Sequence, residues 1–148
     1  MLITNDLVEL NLEANNRLET IEMLAEMALK SEKIDNKLEF MKQVINRENQ
    51  TSTDLGDGIA IPHGKSDSVK EPFVIFAKLK KPIVWNEEAN SKIDMVFMLG
   101  VPKTSESQVH LRIISQIAAK LIDEDFLEDL RTSNEKQFIL ENMNGIKI

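Results

Sequence analysis

Gly58-Ile59-Ala60-Ile61-Pro62-His63-Gly64 is the stretch on which the reading of this chain turns. Ile59, Ala60 and Ile61 form a short apolar run with two branched members, the composition of a brief buried strand. Pro62 has no N–H to continue a ladder, so the strand is expected to stop there. His63 then stands at the strand exit, between a rigid residue and a permissive one. Strand ends of layered folds are where scaffolds present reactive groups. His63 is one of only two histidines in 148 residues, and it becomes the first candidate for chemistry; the alternative is a surface turn residue with no duty.

Working outward, the flanking segments predict a sheet with helices around it. Leu7 to Leu12 alternates and predicts a first strand, with Val8, Leu10 and Leu12 on one face. Asn16 with Glu19, and Asn36 with Glu39, resemble capping boxes that open two helices. The first is expected to run to about Lys30 on a stripe of Leu18, Ile21, Ala25, Ala28 and Leu29. The second carries Leu38, Met41, Val44 and Ile45 and is expected to fray near Arg47 to Asn49. Gln50 to Gly58 has the hydroxyls, aspartates and glycines of a loop. Phe73 to Leu79 and Ile93 to Leu99 are strands; Pro82 to Trp85 is an edge or hairpin segment between them. The nearly continuous apolar run of Ile93 to Leu99 suits a sheet covered on both sides, and Gly100-Val101-Pro102 is expected to end it. Ser105 or Ser107 caps a helix running to about Ile122, with His110, Ile113, Ile114, Ile117 and Leu121 on one face. Two shorter helices follow, one holding Phe126, Leu127 and Leu130, the other opening at Asn134 and stopping before Gly145. The expectation is an α/β, layered single domain over 1–148, with a central mixed β-sheet flanked by helices on both faces.

Composition narrows the function. Hydrophobic residues make up 42% and charged ones 29%, with a formal charge of −7. Such an acidic balance opposes nonspecific binding to nucleic acid or anionic membrane. The absence of cysteine excludes disulfides, thiol catalysis and thiolate metal sites in this chain. Neither a signal-type leader nor an apolar run of about 20 residues is visible, so a soluble, cytoplasmic protein without direct membrane insertion is expected. No acidic residues fall at a metal-ligand spacing, and neither metal nor cofactor is expected. Gly58 to Ser66 approaches a nucleotide-binding P-loop, but it has five residues between glycines where four are needed, and Pro62 removes an N–H donor. A hydrolase elbow, Gly-x-Ser-x-Gly, is missing. The methionines, among them Met23, Met27, Met41, Met95 and Met98, are core filler.

Two neutral imidazoles and a guanidinium suit phosphoryl transfer. Imidazole nitrogen attacks phosphorus to give phosphohistidine, and the moving group needs donors and cations around its oxygens. His110 lies in the first turn of its helix, where free N–H groups favour anions; a hydrogen-bonded core histidine is an equal reading. Arg47, sixteen residues before His63, has a planar fork that matches phosphate oxygens, although a surface arginine near a helix end is the commoner case. Thr51, Ser52 and Thr53 offer hydroxyls, with turn capping as their alternative, and Lys65 adds positive potential or merely solubility.

The segment Arg47 to Gly64 (RENQTSTDLGDGIAIPHG) closely resembles the signature of fructose/mannitol-type EIIA components of the bacterial phosphoenolpyruvate-dependent sugar phosphotransferase system. KKPIVW, IDMVFMLGVP and VHLRIISQIAAKL match the family's order, so the resemblance covers nearly the whole chain. It implies a phosphotransferase with a phosphohistidine intermediate: His63 accepts a phosphoryl group from phospho-HPr and passes it to a cysteine of a IIB component. It implies that His110 supports that group, that Arg47 holds its oxygens, and that Thr53 matches the threonine of the loop. It also allows association with a membrane IIC component. Where many relatives have a Thr-Gly pair, this loop reads Thr51-Ser52-Thr53-Asp54-Leu55. KKPIVW and Asp123-Glu124-Asp125-Phe126 favour the fructose type. The nitrogen-regulatory members share the histidine signature; in those, phosphorylation controls binding to regulatory partners.

Overall fold

The computed structural model describes residues 2–106 and 108–146. After a short 3-10 turn at Asn5–Leu7, the chain forms β1 (Val8–Leu12), α1 (Arg17–Lys30) and α2 (Lys37–Gln50). Next come β2 (Asp54–Gly56), β3 (Ile59–Ala60), β4 (His63–Ser66), β5 (Phe73–Asn86) and β6 (Ser91–Pro102). Three helices follow: α3 (Val109–Leu121), α4 (Glu124–Thr132) and α5 (Lys136–Met143). The six strands form one sheet in the order β1-β5-β6-β3-β2, with β4 also on β6. Pairing is mixed: β1 with β5 and β6 with β3 and β4 are parallel, while β5 with β6 and β2 with β3 are antiparallel. Phe73 to Leu79 and Met95 to Val101 are buried without a break. Successive strand residues point to opposite faces, so the sheet's centre is covered on both sides. The expected α/β class, with its mixed central sheet among helices, is what the chain adopts.

Local chemistry explains most boundaries. Asn16 and Asn36 accept hydrogen bonds from the backbone N–H of Glu19 and Glu39, satisfying donors that a helix start leaves free. The stripes differ from expectation. Leu18 and Leu38 are 58% and 74% exposed, whereas Leu24 and Phe40 are fully buried. In α2 the buried row is Phe40, Val44 and Glu48, spaced by four, which rotates the core-facing side away from Leu38. The helix also continues through Gln50 rather than fraying at Arg47.

Four further expectations are corrected. Gln50 to Gly58 is not all loop: β2 pairs with β3 in a hairpin whose Asp57 and Gly58 have positive φ, 54° and 78°, the geometry of a two-residue turn. Phe73 to Leu79 and Pro82 to Trp85 belong to one strand, β5, whose register with β6 shifts between Lys78 and Ile83, around Pro82. Gly100 and Val101 do not stop β6, which pairs with β4 through both and ends only at Pro102. The residue before α3 is Gln108, which makes no side-chain cap; Ser105 is not the cap, and Ser107 lies outside the described residues.

His63 is the fifth correction. It does not follow a strand on a loop; it opens β4. Ile59 faces Met95 and His63 faces Leu99 along β6, four residues apart on each strand, so β3 and β4 are one line interrupted at Ile61-Pro62. The interruption stays anchored, since the Pro62 carbonyl accepts from the Leu99 N–H at 3.0 Å. Missing its own N–H, Pro62 interrupts the ladder without ending the strand.

Candidate functional site

The site is assembled where α2, β4 and the start of α3 meet. Gly64 makes that meeting close: a Cβ there would lie 2.9 Å from Val44 Cγ2 and 3.3 Å from Phe40 Cε1. Lacking one, β4 lets α2 settle on it, and one face of α2 carrying Gln43, Asn46, Arg47 and Gln50 overlooks His63. These four, with His63, Gly64, Lys65 and His110, line an open pocket of about 370 Å³. The His63 and His110 rings lie 6.1 Å apart between centroids and are inclined by 30°. Arg47, His63 and His110, far apart in sequence, therefore converge.

Hydrogen bonding sets the tautomer of His63. Its Nδ1 lies 2.9 Å from the Ile61 carbonyl oxygen. A carbonyl only accepts, so Nδ1 carries the proton and Nε2 keeps its lone pair. Burial pushes the His63 imidazole below its ordinary value, outweighing the Ile61 carbonyl, which favours the charged form; the positive charge of Arg47 and the His110 ring push the same way, and Glu48 opposes them. His110 is also lowered, by burial first and then by Lys65 and Arg47. Both rings are thus neutral near pH 7. His110 Nδ1 is buried with no hydrogen-bond partner among the described residues. His110 is the second residue of α3, whose first turn carries no acidic side chain, so the partial positive charge of that helix end lies close to its imidazole.

Arg47 Nη1 donates to the Thr51 carbonyl at 2.8 Å, and among the described residues no carboxylate pairs with its guanidinium. Two imidazoles with burial-suppressed charge, a guanidinium lacking a carboxylate and a lysine surround a cleft that suits an anion. Among the described residues no cluster of three His, Cys, Asp or Glu is arranged to hold a metal. Thr53 is elsewhere: it is buried, and its hydroxyl donates to Glu48 Oε1 instead of facing the pocket. Sequence reasoning passed over Gln43, Asn46 and Gln50, although their spacing around Arg47 is that of one helix face. It also passed over Glu48, a buried carboxylate whose signal was its place four residues beyond Val44 on the core-facing row of α2.

A family model described as phosphoenolpyruvate-dependent sugar phosphotransferase system, EIIA 2, matches residues 1–145. The chain belongs to this family. Within the EIIA family it is 31% identical over 137 residues to the PTS system fructose-like EIIA component of Escherichia coli, covering 93% of this chain and 92% of that one. It is 33% identical over 118 residues to a nitrogen regulatory protein of Bradyrhizobium diazoefficiens, covering 78% and 76%. The fold matches the nitrogen regulatory protein IIA-Ntr of Neisseria meningitidis with a TM-score of 0.87 at 22% identity, over 96% of both chains. It matches the complex of enzyme IIAMTL and phosphorylated enzyme IIBMTL from Escherichia coli with a TM-score of 0.81 at 22% identity, over 97% of both. No described helix of this EIIA domain is long and apolar enough to cross a membrane.

Proposed function

We propose that this EIIA domain carries a phosphoryl group on Nε2 of His63, taking it from phospho-HPr and delivering it to a IIB component during sugar uptake, with the fructose type preferred. The observation that carries the reading is the hydrogen bond from His63 Nδ1 to the Ile61 carbonyl, beside a guanidinium without a carboxylate. In the loading step the Nε2 lone pair attacks phosphorus, and the donor P–N bond breaks with its electron pair returning to the donor nitrogen. The His63 ring gains positive charge while Nδ1–H stays on the Ile61 carbonyl. A protonated ring is a good leaving group, so the next nucleophile, a IIB thiolate, takes the phosphoryl group and restores neutral imidazole.

Arg47 and Lys65 offset charge on the transferring oxygens, and His110 donates from the far side. Position and neutralisation suffice for exchange between nitrogen and sulfur, so the proposed step uses no metal or cofactor. Thr53 is left out of the phosphoryl contacts because its hydroxyl is engaged by Glu48. Similarity to fructose-like EIIA over nearly the full length supports the transport reading. The nitrogen-regulatory relatives support a second one, in which phosphorylation of His63 switches binding to regulatory partners.

The test is reconstitution with phosphoenolpyruvate, enzyme I and HPr. An acid-labile, base-stable phosphate should form on the wild type and not on His63→Ala; labelling lost in His110→Ala but kept in His63→Ala would reverse the assignment. A pull-down with and without phosphorylation separates the two roles. A IIB partner that becomes phosphorylated supports transport, and a kinase or transcription factor held in only one state supports regulation.

A further inference from the structure

Glu48 follows Arg47 in α2 but points the other way, into the protein, and is only 3% exposed. All of its hydrogen bonds are accepted, as suits a carboxylate. Oε2 takes the Thr53 backbone N–H at 3.1 Å and the Trp85 indole N–H at 3.2 Å, and Oε1 takes the Thr53 hydroxyl. No cation lies within ion-pairing distance of it among the described residues. A buried carboxylate held by neutral donors alone is costly unless those bonds are kept, so Thr53 is fixed firmly to the end of α2.

Two bonds lead from this fixed segment into the site. Two residues before Thr53, the Thr51 carbonyl accepts from Arg47 Nη1 at 2.8 Å. The Thr53 carbonyl accepts from the Ile61 N–H at 3.1 Å, and the Ile61 carbonyl in turn holds His63 Nδ1 at 2.9 Å. One strap therefore touches the guanidinium at one end and reaches the imidazole through Ile61 at the other. We infer that Glu48 is a positioning residue: by clamping Thr53, it sets Arg47 and His63 at the mutual distance that phosphoryl transfer needs. The inference rests on the proposed carrier role of His63. Glu48 bonds Thr53 and Trp85 and not the His63 ring, so its route to the imidazole runs through the segment it holds.

Glutamine can satisfy the same donors, its carbonyl oxygen taking the Thr53 N–H and the indole N–H while its amide donates to a rotated Thr53 hydroxyl. Glu48→Gln should therefore rescue what Glu48→Ala loses. Displacement on the scale of an ångström costs transfer about 10- to 100-fold, and that fall in kcat is expected for Glu48→Ala and for Thr53→Val. The double variant should be no slower than the worse single one, since both cut the same strap. In the unphosphorylated protein, NMR of the Arg47 Nε–H and the His63 ring nitrogens should move in both variants and hold in Glu48→Gln. That readout needs no phosphoryl group: if the signals move as expected but the wild type takes no phosphate, the strap stands and the carrier reading fails. Wild-type signals and rate in Glu48→Ala would overturn the inference. So would a Glu48→Gln as slow as Glu48→Ala, which would make charge the cause. Should Glu48→Ala not fold, Thr53→Val against Glu48→Gln gives the same decision.

Discussion

Two arginines in this molecule are used in opposite ways. Arg131, at the end of α4, is fully engaged: Nη1 reaches both Asp94 carboxylate oxygens at 2.7 and 2.6 Å, and Nη2 donates to the Asp57 carbonyl. It ties the β2–β3 hairpin to β6, so tightly that a Cβ at Gly58 would lie 2.7 Å from Asp94 Oδ1. Arg47 donates to one backbone carbonyl and faces two neutral imidazoles. A guanidinium given its carboxylate holds a fold together; one denied it, over a cleft with suppressed histidine charge, is what the proposed phosphoryl carrier needs for an incoming anion.

Replacing each arginine is the sharpest way to break the comparison. Arg47→Ala should slow phosphoryl transfer by about 10²–10³, the usual loss when one group stabilising a transition-state charge is removed, with thermal stability almost unchanged. Loading assays with HPr as donor, alongside a melting curve, check both halves. Gly64→Ala should harm both properties at once. Its methyl has to displace Val44, costing about 1–3 kcal/mol as overpacking does, and it lifts Arg47 away from His63; denaturant unfolding and the same loading assay measure this. Arg131→Ala should do the reverse of Arg47→Ala. About 1–2 kcal/mol of stability should go, between the value of a surface ion pair and a buried one, while transfer persists; urea unfolding is the measurement.

The smallest effect is that of pH. Both histidines have folded-state pKa values below the ordinary value of 6.5, so the unfolded chain binds more protons than the folded one as pH falls. Their contribution to stability is complete above about 6.5 and is lost progressively below it. The melting temperature should decline from pH 7 toward pH 5, and His63→Gln with His110→Gln should flatten that slope.

The central strands and the asparagine-capped helices were legible because each rests on a local rule: continuous apolar runs in β5 and β6, side-chain caps at Asn16 and Asn36. Leu18 and Leu38 misled because spacing gives a stripe but not its rotation toward the sheet. Leu18 sits at the first turn of α1, lining an open pocket with Val84 and Trp85, where no element covers it. The Asp57-Gly58 pair was a hairpin signal, hidden by the polar residues before it. Pro62 suggested an end to pairing, yet a neighbouring strand can resume its bonds one residue later, which only the register on β6 reveals. At the site, His63, His110 and Arg47 stood out by side-chain chemistry, and the fold brings them to one cleft, although His63 opens a strand instead of following one. Glu48 did not stand out, because its importance lies in three donors contributed by residues 5 and 37 positions away.

One measurement bears directly on the central claim. After phosphorylation through enzyme I and HPr, nitrogen-15 and phosphorus-31 NMR of the histidine rings identifies the atom bonded to phosphorus. The account predicts phosphorus on Nε2 of His63, with Nδ1 still donating to the Ile61 carbonyl. Phosphorus on Nδ1 of His63, or on either nitrogen of His110, would contradict it.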